Sequence, residues 1–123
     1  MTFTGPGVYR IDDGVAEAVA AATAHGLRPY VVAEQSSKAG FLDAVAAALS
    51  FPGWFGRNLD ALADSVGDLS WLPPGPLALV WERPAALGAA DPATDAAVRE
   101  ILAQAVEESR DGPRPLTVLL TDR

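Results

Sequence analysis

The run Phe51-Pro52-Gly53-Trp54-Phe55-Gly56-Arg57-Asn58-Leu59-Asp60-Ala61-Leu62-Ala63-Asp64-Ser65 carries the densest chemistry in the sequence. Two large aromatics and two glycines lead directly into a helical pattern with carboxylates at Asp60 and Asp64. Residues four apart share a helix face, so both carboxylates point the same way. Such a surface suits a cationic partner, with an aromatic side chain as anchor and carboxylates meeting Arg or Lys. Glycines keep the loop low, so that a partner can approach its backbone. Asp60 falls in the first helical turn, where a carboxylate also complements the helix dipole. Asp64 has no such local reason to be acidic and is the more diagnostic of the two.

Catalytic chemistry is thinly provided. The one histidine, His25, ends a helical run beside Gly26, where an imidazolium complements the helix dipole. A Ser-His-Asp triad would need that same histidine, and no Gly-x-Ser-x-Gly turn presents a serine. No Gly-rich phosphate loop is present. The absence of cysteine excludes disulfides and thiolate catalysis. A Mg²⁺ or Ca²⁺ site takes more oxygen ligands than Asp60 and Asp64 supply, so no metal and no cofactor are expected. Two carboxylates on adjacent turns of an exposed helix do not by themselves form a sugar cleft. The expectation is a protein that is not an enzyme.

Composition narrows the partners. The 123 residues fit one domain, 1–123, and half of them are apolar. Sixteen acidic and nine basic residues give a formal charge of −7. The basic residues are scattered, and only Lys38 is a lysine. Phosphate backbones are bound through clustered Lys and Arg, so direct nucleic-acid binding is not expected, whereas steering toward a basic protein is. No apolar run approaches the ~20 residues of a membrane helix. Met1 to Gly7 has neither the basic nor the apolar region of a secretory signal. A cytoplasmic protein without membrane contact is expected.

The elements that must hold the acidic segment follow from periodicity and punctuation. Val8–Ile11 reads as a short strand, with Asp12 and Asp13 able to cap a helix from Val15 to Ala24 that stops at Gly26. Arg28–Ala33 is a second strand, with Pro29 confined to its start. Ser36 or Ser37 can cap a helix from Lys38 to Leu49, in which Phe41, Val45 and Leu49 form a buried stripe. Asn58 is the N-cap expected for a helix from Leu59 to about Asp68, turning Leu59, Leu62 and Val66 inward. Leu77–Trp81 is a continuous apolar run, as in a central strand buried on both faces. A helical turn follows Pro84. Asp91-Pro92 starts a long helix to about Ser109 that turns Val98, Ile101, Leu102, Ala105 and Val106 inward. Leu116–Leu120 is the last strand. Strands alternating with helices imply an α/β fold with a small, mostly parallel sheet.

The signature Phe51, Pro52, Trp54, Phe55, Gly56, Asn58, Asp60, Ala61, Leu62 and Asp64 resembles that of the barstar family, intracellular inhibitors of secreted ribonucleases. Leu77–Glu82 and Leu116–Thr121 are similar to the family's central and last strands, and the likeness spans roughly Arg28 to Thr121. The resemblance implies a three-stranded parallel sheet packed with helices, to which Val8–Ile11 can add an edge strand. Residues 1–27 would then be an N-terminal extension and 28–121 the core. It implies that the loop and following helix plug a ribonuclease active site. By motif position the contacts are Trp54, Phe55, Gly56, Asn58, Asp60 and Asp64, with Asp64 mimicking a phosphate. Glu107 and Glu108 are both candidates for a further acidic contact from the last long helix. Arg57 stands where the archetype has an acid, and Ala63 where it has a tryptophan. The implied partner is a small basic ribonuclease. An immunity or interaction protein of the same fold, directed at another basic toxin, is the alternative. A small hydrolase or metal-dependent enzyme using Asp60, Asp64 and a distant acid is a third reading.

Overall fold

Leu77 to Trp81 form β3, and every one of the five residues is buried. A strand with no exposed face must be covered on both sides, and that requirement organises the chain. The computed structural model describes residues 3–123, so Met1 and Thr2, the first residues of the stretch read for a secretory signal, lie outside the described residues. The remaining elements are β1 (Val8–Ile11), α1 (Val15–Ala24), β2 (Arg28–Val32), α2 (Lys38–Ala48), α3 (Leu59–Asp68), α4 (Pro84–Ala90), α5 (Pro92–Ser109) and β4 (Leu116–Thr121). The expected α/β architecture is therefore present, with element ends shifted by a residue or two.

The sheet has four strands in the order β1-β4-β3-β2. All neighbours run parallel, with Leu79 opposite Tyr30 on one side and Val118 on the other. The N-terminal strand joins the three implied by the resemblance, and it does so beside β4, with Val8 opposite Val118. Because β1 and β2 occupy opposite edges, the intervening α1 crosses behind the sheet, touching β2, β3 and β4.

Alternation along β3 divides the interior into two layers. Leu77, Leu79 and Trp81 join Phe41, Leu42, Val45, Leu62, Val66, Val98 and Leu102 in the larger core, which α2, α3 and α5 cover. Trp81 packs at 4.9 Å on Phe41, and the Arg99 guanidinium lies 5.5 Å from its ring. Ala78 and Val80 turn the other way, against Ile11, Ala18, Ala22 and Leu119. The small alanines on both sides let α1 lie close to the sheet.

Caps fix the ends of the helices that matter for the site. Ser37 caps α2 by accepting from Gly40 N at 3.0 Å. Asn58 caps α3 by accepting from Ala61 N at 2.8 Å. Asp91 caps α5, accepting from Thr94 N and from the Thr94 hydroxyl, and that hydroxyl bond first of all holds the Asp91 carboxyl below its ordinary range. The expectation for α1 is corrected: its N-cap is Gly14, with no side-chain cap. Asp13 instead accepts from the adjacent Gly14 N at 3.0 Å and pairs with Arg123, so neither Asp12 nor Asp13 reaches the first helical turn.

The inner face of α3 is narrow: Leu62 is fully buried, Val66 nearly so, and Leu59 half-buried at the rim. Leu62→Ala should therefore lower folding stability by about 2–5 kcal/mol through lost burial and the cavity left behind. Urea unfolding checks this by a lower midpoint at unchanged slope. A loss under about 1 kcal/mol would mean that α3 is not seated on the core as described.

Candidate functional site

The loop before α3 is built on its own aromatics. Phe51 packs edge-on against Phe55 at 4.8 Å and against Trp71 at 5.8 Å. The Trp71 indole N–H donates to Leu49 O at 2.8 Å, which ties this cluster to the end of α2. Phe55 N donates to Pro52 O at 3.0 Å, closing a tight turn. Phe55 thus faces inward while Trp54 faces out, 69% exposed and touching Trp71 only edge-on. A tryptophan so exposed gains little from the fold and is the kind of side chain that anchors an interface. Nothing lies within 4 Å of the space a Gly53 side chain would take, and a Cβ on Gly56 would come 3.3 Å from Asn58 Nδ2.

Arg57 lies in this loop with φ +53°, a left-handed conformation costing a non-glycine residue about 1–2 kcal/mol. Its guanidinium does not point along the acidic face. It forms a two-pronged ion pair with Asp43 on α2, Nε to Oδ1 at 2.8 Å and Nη2 to Oδ2 at 2.9 Å. The positive charge that the sequence places inside the signature is thereby matched.

Between α3 and α5 runs an open groove of about 570 Å³. Leu59, Ala63, Ala97, Ile101 and Ala105 form its apolar walls, and Asp60, Asp64, Glu100 and Glu108 supply four carboxylates. The small Ala63 helps to leave the space between the helices open. Across it the two helices come close, since a Cβ on Gly67 would lie 3.8 Å from Glu108 Oε2. Of the two candidate acids on α5, the structure brings Glu108 to the groove. Glu107 is not among the lining residues and is bound to Arg110 at 2.8 Å; that hydrogen bond, then the guanidinium charge, keeps its carboxyl below the ordinary range. Glu100 was missed in the sequence. Its spacing from Gln104 and Glu108 marks one face of α5, but only packing reveals that this face meets α3.

None of the salt bridges among the described residues engages these four acids. Six arginines form salt bridges, Arg10, Arg57, Arg83, Arg99, Arg110 and Arg123, all with acids outside the groove. Arg28 and Arg114 donate to the carbonyls of Pro73, Leu72 and Ser70. No arginine or lysine lines the groove, and among the described residues none of Asp60, Asp64, Glu100 and Glu108 is in an ion pair. Glu108 accepts one hydrogen bond, from Gln104 at 2.7 Å. Four carboxylates gathered along one groove without a lining cation make a local negative potential that attracts cations. His25 lies outside the groove, with Nδ1 2.8 Å from Ala21 O and its ring 4.5 Å from Phe3. Among the described residues no group of His, Asp and Glu is arranged to hold a metal ion, and no helix is long and apolar enough to cross a membrane.

An all-parallel sheet with helices on both faces makes this a small α/β protein. Within that class the assignment is narrower: the family model described as Barstar (barnase inhibitor) matches residues 30–121, which run from β2 through β4. The chain belongs to the barstar family, whose members are inhibitors rather than enzymes. No curated protein matches it. The β1–α1 unit precedes the matched region.

Asn58 joins loop and groove, because its Oδ1 caps α3 while its Nδ2 donates to Gly56 O at 3.3 Å. Asn58→Ala should cost about 0.5–2 kcal/mol, and Asn58→Asp, which keeps the capping oxygen, much less. Thermal unfolding of the two variants checks the difference; equal losses would remove the cap from the explanation.

Proposed function

We propose that this protein is a cytoplasmic inhibitor of a small, basic ribonuclease, and that it blocks the nuclease with the loop from Trp54 and the groove between α3 and α5. The observation that supports this reading most is the set of four groove carboxylates without ionic partners, together with an exposed tryptophan on the loop that leads into α3. A cleft that binds RNA must hold cations against phosphates. Asp64, with Asp60 and Glu108, would occupy phosphate positions there, while Trp54 anchors and Gly56 and Asn58 shape the approach. No bond need be made or broken: the site is filled and RNA is excluded.

Charge also bears on rate. An acidic face steers a basic partner into encounter, and salt slows that step over a screening length of about 8 Å at physiological ionic strength. A second reading keeps the surface and changes the target to another basic protein toxin. The open groove at Ala63 favours it, since a partner could place a side chain between the helices there.

Inhibition of RNA cleavage by barnase, or capture of a basic nuclease from the native cell extract, tests the proposal. Asp64→Ala should weaken binding by roughly 2–5 kcal/mol, because a partner cation would be left buried and unpaired. Thermal stability should change by no more than about 0.5 kcal/mol, as is usual for exposed helical positions. Glu108→Gln should weaken binding, and Glu107→Gln should have little effect because Arg110 already engages Glu107. Affinity unchanged by Asp64→Ala, or a larger effect at Glu107 than at Glu108, would argue against this assignment.

A further inference from the structure

We propose that Arg57 is a positioning residue: its ion pair with Asp43 holds the segment from Trp54 to Asn58 on its path into α3. The consequence for inhibition rests on the function proposed above, whereas the effect on the loop does not.

The left-handed residue at 57 turns the chain between Gly56 and the helix cap. A side-chain-bearing residue persists in that conformation only where its surroundings hold it. The hydrogen bonds around it are local, from Phe55 N to Pro52 O and from Asn58 Nδ2 to Gly56 O. At the aromatic end the loop is fastened through Phe51, Trp71 and Leu49 O. At the other end the Arg57–Asp43 pair reaches across to α2. Two parallel N–H···O bonds fix the orientation of the guanidinium as well as its distance, which a lysine could not do.

Exposure indicates the role. Both side chains are more than half exposed, at 60% and 58%, so the pair adds little to global stability. It also resolves an apparent conflict. An unpaired cation in this loop would repel the basic partner that the neighbouring groove attracts. Paired with Asp43, Arg57 can shape the loop without that penalty.

Amide hydrogen exchange in the free protein at Phe55 and Ala61, the hydrogen-bonded amides on either side of Arg57, gives the first test, using Arg57→Ala, Asp43→Ala, the double variant and Arg57→Lys. Each alanine variant should raise exchange about three- to fivefold, the upper range for an exposed ion pair. The double variant should exchange no faster than either single. Wild-type protein in 1 M NaCl should show the same rise, since salt screens an exposed pair. Arg57→Lys should recover part of the protection, and amides of β3 should not change. Barnase inhibition then separates position from charge: both single variants should weaken it. Unaltered loop exchange in both single variants would overturn the proposal whatever the nuclease. So would opposite effects on inhibition, weaker for Asp43→Ala and stronger for Arg57→Ala, because charge alone would then account for them. Exchange that responds as expected in a protein that does not bind barnase supports the positioning role and counts against the inhibitor reading alone.

Discussion

The burial of β3 on both faces is the constraint from which the rest follows. Leu77, Leu79 and Trp81 need helices on one side and Ala78 and Val80 need cover on the other, so the chain must wrap the sheet. The larger side draws in α3 through Leu62 and Val66 and α5 through Val98, Leu102, Ala105 and Val106. Two helices held side by side by a shared core present their outer edges together. The acidic groove lies along that seam, and its carboxylates are positioned by the apolar residues beneath them.

Electrostatics adds a second level of organisation. A charge of −7 spread evenly would be ordinary for a soluble protein. Here the arginines are used to pair acids elsewhere on the surface or to bond loop carbonyls. The acids left over include the four in the groove. Arg57 illustrates the pattern, since even the cation inside the signature is turned toward Asp43. Exposed pairs of this kind contribute little to stability, but they decide where unmatched charge remains.

Much of this was legible in the sequence because it is local. Apolar spacing marked the strands and helices, and Asn58, Ser37 and Asp91 carry their capping role in their own side chains. The signature from Phe51 to Asp64 also marked the family. Non-local features escaped. Nothing in Val8–Ile11 states that it lies beside β4 across more than a hundred residues of chain, and Glu100 joins Asp60 and Asp64 only through helix packing. Trp71 reads as an ordinary apolar residue until its indole is seen to anchor Leu49. Asp12 and Asp13 looked like caps for the same reason in reverse: spacing alone does not show that Asp13 turns to Arg123.

Mapping by NMR of the surface that contacts a basic ribonuclease tests the proposed function most directly. Isotope-labelled protein would be titrated with catalytically silenced barnase, and the amide shifts followed residue by residue. The expected result is a contiguous set of perturbed amides from Trp54 to Asp64 on the loop and α3, continuing on α5 from Ala97 to Glu108. Amides of α1, on the opposite face of the sheet, should remain unmoved. Perturbations centred on β1 and α1, or none at all at saturating barnase, would contradict the proposed inhibitory surface.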